Sequence, residues 1–97
     1  MAEETETKIQ NLILRAETLA KKNWIQAINL LEDALIEYPS NNRLYLALGD
    51  IYARANQYRK ALTHFQSALA QDPTNKHLTL HVGNCYLALS EYSLELV

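Results

Sequence analysis

Three side chains with metal-ligating chemistry, His77, His81 and Cys85, follow one another at four-residue steps, which puts them on one face of a helix. A structural zinc takes four such ligands, and no second Cys/His cluster stands elsewhere in the chain, so no metal and no cofactor is expected. A second pattern is polar. Arg43, Ala47, Asp50 and Arg54 recur at steps of four, three and four, and His77, His81 and Asn84 at steps of four and three. Each set shares a helical face that could pair with a ligand. The alternative is that Asp50 and Arg54, four apart, pair with each other on a solvated face, for only ~0.3–0.5 kcal/mol. Nothing in either pattern is catalytic. There is no glycine-rich phosphate loop, no serine or cysteine comes with a positioned base and an orienting acid, and no apolar cleft is evident that would shift a carboxylate. His64, beside Phe65, reads as a partly exposed surface histidine rather than a base. The expectation is a binding protein, not an enzyme.

The elements that must carry these faces are bounded by size and composition. At 97 residues and 11.1 kDa the chain is too short for two independent domains, and with 48% hydrophobic residues it is globular rather than disordered. No apolar run approaches the ~20 residues of a membrane span. Nine Lys or Arg against eleven Asp or Glu, with no basic block, argue against nucleic acid or an anionic membrane as partner. The single cysteine rules out an internal disulfide. The start, Met1 to Lys8, is polar and acidic, the opposite of a signal peptide, so the expected location is cytoplasmic.

Only two glycines and two prolines occur, and they are periodic: Gly49 and Gly83 lie 34 residues apart, as do Pro39 and Pro73. At the same offset Tyr52 aligns with Tyr86, Trp24 with Tyr58 and Tyr92, Ala27 with Ala61, Ala34 with Ala68, Leu35 with Leu69, Asn41 with Asn75, and Leu14 with Leu48 and Val82. A fixed period of this length is the mark of a repeat architecture. The units run 8–41, 42–75 and a partial 76–97 in one domain. In the second unit Leu44, Leu48, Ile51, Tyr52 and Ala55 follow a helical period, Ala-Asn-Gln interrupts it, and Ala61, Leu62, Phe65, Ala68 and Leu69 resume it. Asn56 suits the left-handed position that ends a helix, Pro73 pushes Asp72 out of the helical region, and Thr74 or Asn75 can cap the next helix. The spacing predicts helices near 5–22, 25–37, 42–55, 58–70, 76–89 and 91–97.

A helical hairpin of this length with Leu48-Gly49, Tyr52, Tyr58, Ala61, Phe65, Ala68 and Pro73 resembles a tetratricopeptide repeat. Tyr45 stands where the family has an early tryptophan, the third unit has Glu95 in place of the second-helix alanine, and the first has Arg15, Glu17 and Thr18 at packing positions. The resemblance implies an all-α fold of antiparallel hairpins stacked as a right-handed superhelix, two full repeats plus a truncated third. It also implies that the glycines and alanines are close-packing positions, that Trp24, Tyr58 and Tyr92 fill the space beside the turns, and that Cys85 is a small core residue beside Gly83.

By the same resemblance the first helices line a concave groove that takes a peptide or a partner helix. The lining would be Arg43, Leu46, Ala47, Asp50, Ala53 and Arg54 from the second unit, with His77, Leu80, His81, Asn84 and Leu87 from the third. The Lys/Asn/Arg clamp with which some members hold a terminal carboxylate is absent, since those positions read Leu12, Ala16, Ala47, His77 and His81. The first helix has a full apolar stripe, Ile9, Leu12, Ile13, Ala16, Leu19 and Ala20, which a gapless alignment turns toward the groove. Either this helix is rotated as an end cap or the groove is apolar there. The rival to groove binding is homo-oligomerisation through an open carboxyl end, with Leu78, Val82, Leu89, Tyr92, Leu94 and Leu96 as the contact set. In a longer array, further repeats would cover that end.

Overall fold

Asparagines and prolines divide the chain as their chemistry dictates. The computed structural model describes the backbone of residues 2–95 and the side chains of residues 3–91. It contains α1 (Ala2–Ala20), α2 (Trp24–Glu37), α3 (Asn42–Arg54), α4 (Tyr58–Gln71) and α5 (Lys76–Glu95), with no strand among the described residues. The fold is all-α. Three helices start on an asparagine whose Oδ1 accepts two of the backbone N–H groups left without partners at a helix start. Asn23 accepts from Ile25 and Gln26, Asn41 from Arg43 and Leu44, and Asn75 from His77 and Leu78, at 3.0 to 3.3 Å. Thr74 leaves the cap to Asn75.

The ends follow the same logic. Tyr38 and Asp72, each before a proline, have ψ near 70°, outside the helical region, and α2 and α4 end there. Asn56 takes the left-handed conformation (φ 62°) that stops α3. The Gln57 N–H then bonds to the Tyr52 carbonyl at 2.8 Å, and the Asn56 N–H to that of Ala53 at 3.0 Å. The Tyr58 hydroxyl donates to Asn56 Oδ1 at 3.0 Å across this turn.

The third unit departs from the expected hairpin. Helices near 76–89 and 91–97 were the expectation, yet α5 runs unbroken from Lys76 to Glu95. The place of Ala55-Asn56-Gln57 is held one period later by Leu89-Ser90-Glu91, which has no residue suited to the left-handed position and a good helix former in glutamate. Among the described residues there is no second helix in this unit.

Two layers result. Helix α3 packs against α4, α1 against α2, α4 against α5, and α2 and α1 against α3. The thinnest dimension, 18 Å, corresponds to two helices of about 10 Å each. The core threads between the layers, with Leu31, Leu44, Leu48, Ile51, Phe65 and Leu78 almost wholly buried. Helix α1 resolves the ambiguity of its stripe: Ile9, Ile13 and Ala16 are buried, Leu12, Leu19 and Ala20 pack on the core, and Leu14 is 50% exposed although its repeat equivalent Leu48 is buried. The helix is therefore rotated relative to α3, with its apolar stripe turned inward.

The two glycines are not equivalent. A Cβ at Gly49 would lie 2.6 Å from Cε1 of Phe65, whose ring is buried and stacked on His81 at 4.8 Å. At Gly83 nothing lies within 4 Å. Both glycines sit in helices with ordinary φ, so alanine gains about the same helix propensity at each, roughly 1 kcal/mol. Gly83→Ala should therefore stabilise the fold by about 0.5–1 kcal/mol, whereas at Gly49 an overpacking cost of about 1–3 kcal/mol opposes that gain. Urea melts of the two variants should differ by at least about 1 kcal/mol, with Gly49→Ala the less stable.

Candidate functional site

The first helices of the three units lie in one layer, and their side chains meet in a groove of about 350 Å³. Gln10, Ile13 and Glu17 come from α1, Arg43, Leu46, Ala47 and Asp50 from α3, and His81 from α5. The spacing along α3 explains its share. Arg43, Ala47 and Asp50 follow steps of four and three, so they stand one above another, and Leu46 flanks them. Ala47 and Ile13 are buried and make an apolar floor, while Arg43 and Leu46 are exposed at the rim.

Of the residues expected in this groove, Arg43, Leu46, Ala47, Asp50 and His81 are brought together. Arg54 is turned aside: its Nη2 donates to Asp50 Oδ2 at 2.7 Å, the pairing that the four-residue spacing allowed, and it lines a smaller cleft with Glu17, Ala20, Lys21 and Trp24. His77, Leu80 and Asn84 are exposed on α5 outside the groove. His81 is half-buried, its ring stacked on Phe65 with 9° between the planes, so it packs as much as it lines. Sequence reasoning missed Gln10 and Glu17. The signal was present in the departure of Glu17 from the repeat pattern, but its direction depends on the rotation of α1.

Charge in and beside the groove is mixed. Glu17, Asp50 and Arg43 line the same groove, and Arg43 also borders a shallow depression with Glu3, Glu6, Thr7, Gln10 and Asn11. Among the described residues Glu17 forms no salt bridge, while Asp50 already holds Arg54. A wider open depression lies on the outer side of α1 and α2, lined by Leu14, Thr18, Leu19 and Leu30 with Asn11, Arg15, Lys22 and Gln26.

The metal-like trio does not form a site. Among the described residues no group of three His, Cys, Asp or Glu could hold a metal ion. Cys85 is buried, and that burial pushes its thiol pKa up, so the thiolate that would ligate or attack is disfavoured. Of the residues expected at the carboxyl end, Leu78 is buried in the core rather than under-covered, because it repeats the inward position of Leu44. Val82 and Leu89 are half-buried. Tyr92, Leu94 and Leu96 lie outside the residues whose side chains are described.

Behind the groove, Tyr52 links three helices. It is buried, meets Trp24 edge-on at 6.2 Å and His64 at 5.3 Å, and lies beneath the Lys60 ammonium at 5.8 Å. His64, half-buried, also places its Nδ1 2.8 Å from the Lys60 carbonyl. The Tyr52 hydroxyl donates to Glu32 Oε1 at 3.2 Å.

The sequence profile of the tetratricopeptide repeat matches residues 19–76 and again 46–96. The chain belongs to the tetratricopeptide repeat family. The match starts at Leu19, at the end of α1, in keeping with the rotated, atypical first helix. No curated protein matches the chain. Proteins of this family generally serve protein–protein interaction, and among the described residues no helix is long and apolar enough to cross a membrane.

Burial first, then the Glu32 carboxylate, raises the Tyr52 pKa above its ordinary 10.0. The folded state thus holds this proton more tightly than the unfolded chain. The contribution is intact below pH 10 and is lost as pH rises through the raised folded value. Urea melts from about pH 8 to about pH 11 should show stability falling on the alkaline side, and Tyr52→Phe should make that fall shallower.

Proposed function

We propose that this chain is a non-enzymatic module that binds a peptide or helix of a partner protein in the groove between α1, α3 and α5. The observation that carries the reading is the convergence of side chains from all three first helices on one groove with an apolar floor and a polar rim. Ile13 and Ala47 lie at the floor and Leu46 at the rim, where they offer apolar area to an anchor side chain. Glu17, which forms no salt bridge among the described residues, and Asp50 favour a basic residue beside that anchor. Arg43 takes an acidic group at the other end, and His77, Leu80 and Asn84 meet whatever part of the ligand runs on along α5. Arg54 holds the Asp50 carboxylate in place. The helices are preformed, so binding orders the ligand but little of the receptor, which limits the entropic cost. The array is read as one domain with units 8–41, 42–75 and 76–97.

Peptides selected from a random display library against the intact chain should bind here. Glu17→Lys combined with Asp50→Lys should weaken a basic peptide at least tenfold, about 1.4 kcal/mol, by calorimetry, with the urea midpoint little changed. An affinity unaffected by both substitutions would remove the groove as the site.

A further inference from the structure

The groove does not end at Asp50. Helices α1 and α3 touch along a seam, and three depressions follow one another down it. Neighbours share walls: Gln10 and Arg43 belong to the first two, and Glu17 to the last two. The last is a cleft of about 150 Å³ at the carboxyl ends of both helices, where Trp24 opens α2. Ala20, Trp24, Ile51 and Ala55 give it apolar walls, and Ile51 is otherwise wholly buried. Its charged members are Glu17, Lys21 and Arg54, and the charge of Arg54 is already met by Asp50 at 2.7 Å. One period later Ile51 and Leu89 stand where Glu17 and Ala55 do, so the next junction has neither the carboxylate nor the small wall.

We propose that the Trp24 cleft is the end subsite of the groove and takes an aliphatic side chain of an extended peptide, next to the basic residue held by Glu17 and Asp50. This rests on the reading of the groove as a peptide site, and it narrows the ligand. An apolar space of this volume takes one side chain of leucine size, whereas a helix about 10 Å across does not enter it. From Arg43 to Ala55, α3 rises about 18 Å, the span of about five or six extended residues. The walls along α3 set the order in the ligand. An acidic residue meets Arg43, an apolar one lies over Ala47, a basic one meets Glu17 and Asp50, and an aliphatic one packs on Trp24. Glu17 fixes the register, because it lines both groove and cleft.

Trp24 is the one tryptophan of the chain, so its emission and its indole N–H resonance report on the cleft. The first probe is 3-methylbutylammonium, a leucine-like group ending in a cation, titrated into the intact chain. Saturable shifts of the Trp24 indole and the Ala55 amide are expected, and methylammonium should give none. Ala55→Leu fills the space and should weaken the probe about tenfold, with circular dichroism checking the fold. Shifts that do not saturate, that lie elsewhere, or that ignore Ala55→Leu in a folded variant would overturn the proposal. The second probe is a peptide selected from the display library, with Arg43→Glu as a change to the groove alone. Affinity that falls with both substitutions supports groove and cleft together. A fall with Arg43→Glu but not with Ala55→Leu removes the cleft and leaves the groove, and the reverse removes the groove while keeping the cleft.

Discussion

The contact between Gly49 and the Phe65 ring sets the separation of α3 and α4, and the two layers meet there. A ring edge can lie against a helix backbone only where no Cβ stands, and alanines at positions 61 and 68 keep the rest of α4 equally close. A face of the Phe65 ring stacks on the imidazole of His81, so one side chain joins the second unit to the third. The groove inherits its depth from this packing. His81 lines it because Phe65 holds the ring, and Ala47 forms its floor on the same helix as Gly49.

Much of this was legible at a 34-residue spacing. Pro39 and Pro73 end helices, Asn41 and Asn75 cap them, and Gly49 is a close-approach site, each for a reason that belongs to the residue itself and survives any context. Two features were not. The rotation of α1 depends on which face has a neighbour, and a gapless alignment assumes that every helix has the same neighbours. The unbroken α5 was legible in principle: Leu89-Ser90-Glu91 has no counterpart of Asn56, although the tyrosine period continues through Tyr86 and Tyr92. The site was half legible. Arg43, Leu46, Ala47, Asp50 and His81 follow from repeat register, whereas Gln10 and Glu17 enter the groove only once α1 is turned.

Several of the polar residues are engaged with one another. Arg54 is held by Asp50 one turn away within α3, and the Tyr52 hydroxyl ties α3 to α2 through Glu32. The exposed ion pair is worth only a few tenths of a kcal/mol, so its service is to orient Asp50 rather than to hold the fold together. Stability comes instead from the apolar core between the layers, to which α1 contributes its rotated stripe.

Because α2 meets α3 as α4 meets α5, the chain presents the same kind of junction twice, 34 residues apart. A duplicate of residues 42–75 placed after Asn75 would find, at each seam, a surface like one that it already packs against. Length in such a molecule is an adjustable quantity: the array can gain or lose a unit without a new core, and only its two ends have to be redesigned.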